Sequence, residues 1–221
     1  ALLGKHTIDV IPNALLAKSF VQLDSQSCRK ALNLPTDKYI LSFGASRMDD
    51  PIKGFPFLVD AIRYLDKNNI IPADKIHLVL FGKVKNESAF FAGIPTTYAW
   101  FGTINDTHKL SQIYSAADLY AMPSLYETFG QTLIEAMACG CVPIAFDNSG
   151  PAGIIDHLHN GYTARYPAIE DLANGIQWIL READYSLLSE QAKRKVATNY
   201  SERIVARKYI DIYNKVTGTH A

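Results

Sequence analysis

Short continuous apolar runs alternate along this chain with longer stretches whose apolar residues recur every three or four positions. The runs at 8–11, 39–43, 76–81, 98–101, 119–121 and 142–145 predict strands. Several lack polar alternation, as strands covered on both faces do. The stretches 25–32, 56–67, 107–115 and 131–138 predict helices. Strands alternating with helices imply parallel pairs joined by right-handed crossovers, hence a doubly wound, Rossmann-like α/β sheet. Punctuation supports these boundaries. Pro56 suits a first helical turn, where its missing N–H is not needed. Thr128 and Gln131 have the spacing of a capping box. Gly140 suits the left-handed position that ends a helix.

From Ala168 onward the pattern is helical, over 169–181, 185–198 and 202–216. In the last segment Ile204, Val205, Lys208, Tyr209, Ile212, Tyr213 and Val216 form an amphipathic stripe. It packs either on the sheet or, in part, on a domain outside this chain. There is no internal repeat, low-complexity tract or long linker.

The length, 221 residues, fits one large domain better than two small ones. At 48% hydrophobic and 20% charged residues, the composition is that of an ordinary globular protein. Lys plus Arg and Asp plus Glu balance at 22 each, so no general footprint for nucleic acid exists. The three cysteines, Cys28, Cys139 and Cys141, are odd in number and lack a C-x-x-C pair, against a disulfide framework and a zinc site. No apolar run approaches the ~18–20 residues of a membrane span. No signal peptide opens the chain, so a cytoplasmic placement is expected. The short lead over residues 1–6 fits a domain taken out of a longer protein.

The chemistry concentrates around Glu127 and Glu135, eight positions apart. Glu127 reads as part of a turn, Glu135 as part of a helix. Between them, the first N–H groups of a helix starting near Thr128 to Gly130 lack internal partners, and the helix dipole favours an anion there. The competing reading is a satisfied capping box with no ligand. Eight helical residues advance about 12 Å and return within roughly 80° of the same face. With Glu127 ahead of the helix, the carboxylates flank one elongated ligand instead of forming a coupled pair. Carboxylates for hydroxyls and a helix start for an anion describe a site for a sugar joined to a phosphate.

A second constellation, Phe43-Gly-Ala-Ser-Arg-Met-Asp-Asp-Pro-Ile-Lys-Gly-Phe-Pro56, follows a strand and precedes a helix. In a doubly wound sheet that is the ligand edge. Gly44 and Gly54 permit close approach of a ligand. Arg47 and Lys53 supply two cations for phosphate oxygens, unless both are ordinary solvated loop residues. Neither G-x-G-x-x-G nor a P-loop is present. Asp147-Asn-Ser-Gly-Pro151 is either a further ligand loop or a plain turn. Asp49 and Asp50 read as solvated acids before metal ligands, and His157 and His159 as loop histidines.

These residues resemble the C-terminal domain of retaining GT-B glycosyltransferases, especially glycosyltransferase family 4. The family's E-x-F-G-x-x-x-x-E-A-M-A-x-G setting stands as Glu127 to Gly140. Its G-x-R…K-G loop stands as Gly44-Ala-Ser-Arg47…Lys53-Gly54, one residue longer than the commonest form. Its V-I-P-N segment stands as Val10-Ile-Pro-Asn13, with Ala14 where glycine is usual, and the Tyr200-Ser-Glu-Arg…Tyr213 tail is similar to its closing helix.

The resemblance implies a single donor-binding domain over residues 1–221, the C-terminal half of a GT-B fold with extra C-terminal helices. The acceptor-binding N-terminal domain lies outside the chain. It implies that Arg47 and Lys53 neutralise the donor diphosphate, with the N–H groups around Phe129, Gly130 and Gln131, beside Thr128 and Gly44. Glu135 would accept from ribose hydroxyls and Glu127 from the donor sugar. The stretch 98–103, with Phe101 and Gly102, would frame the base. It implies no cofactor and no metal. The partners it implies are a nucleotide sugar and a glycan or lipid-linked acceptor, as in surface-polysaccharide synthesis. Membrane attachment would run through the absent domain. The chain alone is expected not to transfer sugar. Alternatives are a GT-B epimerase or phosphorylase domain, or a non-catalytic nucleotide-sugar-binding module. A dehydrogenase lacks its glycine fingerprint.

Overall fold

The computed structural model describes residues 8–16 and 18–218. The lead residues 1–6 and Thr7 lie outside them.

Six parallel strands form one sheet in the order β3-β2-β1-β4-β5-β6. They are β1 (Tyr39–Arg47), β2 (Ile76–Lys83), β3 (Thr97–Trp100), β4 (Leu119–Met122), β5 (Val142–Phe146) and β6 (Tyr162–Ala164). The helices are α1 (Ser25–Ala31), α2 (Phe55–Lys67), α3 (Glu87–Phe91), α4 (Thr107–Ala116), α5 (Gln131–Ala138), α6 (Ile169–Gln177), α7 (Tyr185–Asn199) and α8 (Glu202–Thr217). The doubly wound, Rossmann-like reading is therefore correct.

Alternate residues of the central strands feed two apolar layers. Ile40, Val79, Phe81 and Tyr120 face a layer shared with α1, α4, α5 and α7. Leu41, Phe43, Leu78 and Leu80 face one shared with α2 and α6. Burial on both faces explains why these runs carry little polar alternation. The sequence order reverses between β1 and β4. Such a reversal opens a crevice at the carboxyl ends of the strands, and both glycine-bearing motifs leave the sheet there.

Three sequence expectations need correction, and the open reading of the α8 stripe is narrowed. Residues 8–11 form no strand; Ile8 and Val10 are exposed, and no neighbouring strand offers them a ladder. The segment first pairs at Leu15, in an isolated bridge to Ser201. The Thr128–Gln131 capping box does not form. Instead Gly130, at φ 106°, turns the chain into α5 with no side-chain cap. The segment 169–181 is not one regular helix: α6 widens into a π turn over Trp178–Glu182. The stripe on α8 packs on the domain only at its start: Val205 is buried, whereas Tyr209, Tyr213 and Val216 are exposed. Gly140 does end α5 in the left-handed region, at φ 76°. The short elements β6 and α3 come in addition to the sequence reading.

Among the described residues no helix is long and apolar enough to cross a membrane. Cys28, Cys139 and Cys141 are all buried free thiols. Burial pushes the Cys139 thiol up to about 12, which makes it inert.

Candidate functional site

Two loops meet over the switch point. Asp50 caps a short turn, Pro51–Lys53, by accepting the Ile52 N–H at 3.0 Å. Gly54, at φ 69°, then starts α2. A Cβ at Gly54 would stand 1.8 Å from the Pro123 carbonyl oxygen, so only glycine lets the loops touch. The Leu125 N–H donates to the Ile52 carbonyl at 2.8 Å, pinning the β4 loop to the β1 loop. A third loop closes the bracket: the Gly150 N–H donates to the Glu127 carbonyl at 2.8 Å, and the Asn148 amide to the Leu125 carbonyl at 2.6 Å. The stretch 147–151 thus braces the Glu127 turn.

The result is a cleft of about 250 Å³ lined by Gly44, Ser46, Lys53, Glu127, Gln131 and Thr132 among others. Lys53 Nζ lies 2.8 Å from Glu127 Oε2, and both side chains are mostly buried. The uncapped first turn of α5 opens beside them, its leading N–H groups without intrahelical partners. A carboxylate, an ammonium and a helix start therefore share one wall. They can hold a ligand that is anionic at one point and hydroxylated at another.

The other sequence-predicted residues are spread around this centre. Arg47 is turned to Asp49, with Nε 3.4 Å from Oδ1, and does not line the cleft. Thr128 and Phe129 border a neighbouring hollow with Val10 to Asn13. Glu135 lies in the second turn of α5, where one carboxylate oxygen accepts the Tyr114 hydroxyl at 3.1 Å. Burial raises the Glu135 carboxyl to about 7, and the Tyr114 hydrogen bond only partly opposes this. Phe101 borders the same apolar layer as Tyr114, its ring under the Lys109 ammonium at 5.2 Å. Gly102, at φ 61°, accepts the Gly82 N–H at 2.7 Å at the open end of β3.

Two tyrosines escaped the sequence reading. Tyr120, fully buried in β4, lies 3.0 Å from the Gly44 carbonyl and 2.8 Å from the Thr132 hydroxyl. A carbonyl can only accept, so Tyr120 donates to Gly44 and Thr132 donates to Tyr120. This bolt joins the β1 loop to α5. Tyr114 packs edge-on to it at 5.6 Å between ring centroids. The available signal was a tyrosine in an otherwise apolar buried run, since its hydroxyl needs a partner. His157 serves its own loop through Thr163. Among the described residues no three His, Cys, Asp or Glu side chains gather as a metal site.

Residues 24–199 match the family described as Glycosyl transferases group 1. The chain belongs to that family. This group 1 domain is 27% identical over 186 residues to D-inositol 3-phosphate glycosyltransferase of Stackebrandtia nassauensis, covering 80% of the chain and 41% of that protein. Sucrose-phosphate synthase from Thermosynechococcus elongatus superposes with a TM-score of 0.80 at 27% identity, over 96% of this chain and 53% of that one. HepE from Anabaena, in complex with UDP and glucose, superposes with a TM-score of 0.76 at 20% identity. It covers 95% of this chain and 57% of its own, a likeness of fold. The group 1 domain thus spans between 41% and 57% of the length of these proteins, and its architecture is that of GT-B glycosyltransferases.

Proposed function

We propose that this chain is the donor-binding domain of a retaining, family 4 glycosyltransferase. It takes a nucleoside-diphosphate sugar and serves transfer to a glycan or lipid-linked acceptor, as in polysaccharide synthesis. An N-terminal domain completes the cleft, and the exposed half of the α8 stripe offers it an apolar surface. The enzyme is cytoplasmic, with any membrane attachment made through that domain.

The observation that carries this reading is the meeting of Lys53, Glu127 and the uncapped start of α5 on one cleft at the switch point. Breaking the sugar–phosphate bond builds negative charge on the nucleotide and positive charge on the sugar. Preorganised cations and helix N–H groups stabilise the leaving diphosphate where that charge appears. Lys53 and the N–H groups of Phe129 to Gln131 take the diphosphate, with Arg47 swinging in from Asp49. Glu127 then exchanges its ammonium partner for sugar hydroxyls, and Glu135 accepts from the ribose. Phe101 and Gly102 frame the base. No step needs a metal. The UDP and glucose bound by HepE, which shares the fold, support a nucleotide-sugar site.

Calorimetric titration with UDP, GDP and ADP tests the reading, with Lys53→Ala and Glu135→Ala as controls. Selective binding of one nucleotide, weakened in both variants, is expected. No binding of any nucleotide by the folded chain, persisting when the titration is repeated on the full-length protein, would overturn the donor-site assignment. The chain alone is expected to bind donor without transferring sugar.

A further inference from the structure

The loop from Arg47 to Gly54 has a cavity on each side. One is the cleft containing Ser46, Lys53 and Glu127. The other is a hollow of about 390 Å³ between the start of α2 and α3. Met48, Phe55, Val59 and Phe90 line its apolar part, and the Phe55 and Phe90 rings stack 4.5 Å apart between centroids. Its polar part carries three carboxylates, Asp49, Asp50 and Asp60, against one cation, Arg63. Arg63 is already engaged, at 2.8 Å with Asp60 and at 2.6 Å with the Gly93 carbonyl. Asp49 is paired with Arg47, which lies outside the hollow, and Asp50 has no cation partner among the described residues. Size and apolar lining are those of a small-molecule site. An apolar lining beside carboxylates suits a cation with an apolar body.

We propose that this hollow binds a small organic cation with an aromatic or aliphatic body, and that its occupancy strengthens diphosphate binding across the loop. The connection is Asp49. One of its oxygens lies 3.4 Å from Arg47 Nε, and the other accepts the Lys85 N–H at 2.9 Å. Arg47 therefore leans on the acid of the hollow and away from the cleft. A ligand cation at Asp49 competes for that carboxylate and frees the Arg47 guanidinium, 59% exposed, to swing to the diphosphate. Such coupling is positive and reciprocal. The linkage rests on the donor-site reading; the hollow does not.

The probe is phenethylamine, a phenyl ring with a primary ammonium, and phenylacetate is its matched anion. Binding is followed by NMR shifts of the Ala89 and Gly93 amides. Saturable binding of the amine is expected, with phenylacetate weaker by about fivefold or more. Ala89→Phe, at an exposed position of the lining, fills the hollow and abolishes the shifts; Asp50→Asn weakens the amine. Absence of saturable shifts, equal binding of phenylacetate, or unchanged binding by Ala89→Phe would overturn the site. The titration is then repeated with saturating UDP, GDP and ADP in turn. Amine affinity rises about two- to fivefold with the nucleotide that binds, and Asp49→Asn removes the gain. Unchanged amine affinity overturns the linkage. A full-length protein that binds the amine but no nucleotide removes the donor reading and the linkage together, and leaves the hollow standing.

Discussion

Glu127 and Glu135 belong to one motif, yet they are held by different forces. Glu127 sits on the cleft rim, 2.8 Å from an ammonium, in a turn clamped by hydrogen bonds from two other loops. Glu135 sits inside a helix with one hydroxyl partner, and burial raises its carboxyl to about 7. The first is placed by backbone brackets and opposite charge. The second is placed by packing, against its own preference for water. Perturbations that unseat one should therefore spare the other.

The bracket breaks most severely at Gly54. Gly54→Ala demands a left-handed alanine, with Cβ 1.8 Å from the Pro123 carbonyl oxygen. Urea unfolding should reveal a loss of about 4 kcal/mol, and nucleotide binding should vanish with the displaced Lys53. A midpoint equal to the parent's would mean that the bracket is soft.

Glu135 is probed by pH. Its folded carboxyl lies at about 7 against an ordinary 4.5. A raised acid leaves the folded state holding the extra proton, so stability falls as pH rises from the ordinary value through the folded one. Between about pH 5 and about pH 8 the parent should lose about 2 kcal/mol relative to Glu135→Gln. A constant difference across that window would sink the buried-carboxyl assignment.

Lys53→Ala sharpens the contrast at the rim. It leaves Glu127 unpaired and removes a charged donor, so nucleoside diphosphate affinity should fall by about tenfold or more in calorimetry. The Glu135 pH response should persist unchanged. The smallest effect belongs to the bolt between the two settings. Tyr120→Phe removes the hydroxyl shared by Gly44 and Thr132, and should cost about 1 kcal/mol in denaturant unfolding. No change would mean that neither group depends on it.

The strands buried on both faces were legible because burial leaves a dense apolar run, as in 76–81. The same reasoning misread 8–11, because an apolar run does not reveal whether a neighbour exists to pair with it. β6 escaped because Tyr162–Ala164 is too short for a periodicity, and its ladder to β5 defines it. The capping box failed at one residue: with Gly130 left-handed, α5 starts too late for Thr128 to cap it. In the site, the residue types of Lys53 and Glu127 were readable, but not their contact. That contact joins positions 74 apart, and loop-to-loop hydrogen bonds set it. Arg47 reads as a second cleft cation from its residue type and its place at a strand end between two glycines; in the structure its Nε lies 3.4 Å from Asp49 Oδ1.

The bridge from Leu15 to Ser201 places the entering segment beside the start of α8, and Asp9 Oδ2 lies 3.5 Å from Lys215 Nζ near the helix end. Asp9 and Lys215 are therefore neighbours on one side of the domain. A short covalent loop can join them, and the chain can be reopened at the exposed 67–69 turn after α2. Such a circular permutant would keep every strand of the sheet and both loops of the cleft in their present order in space.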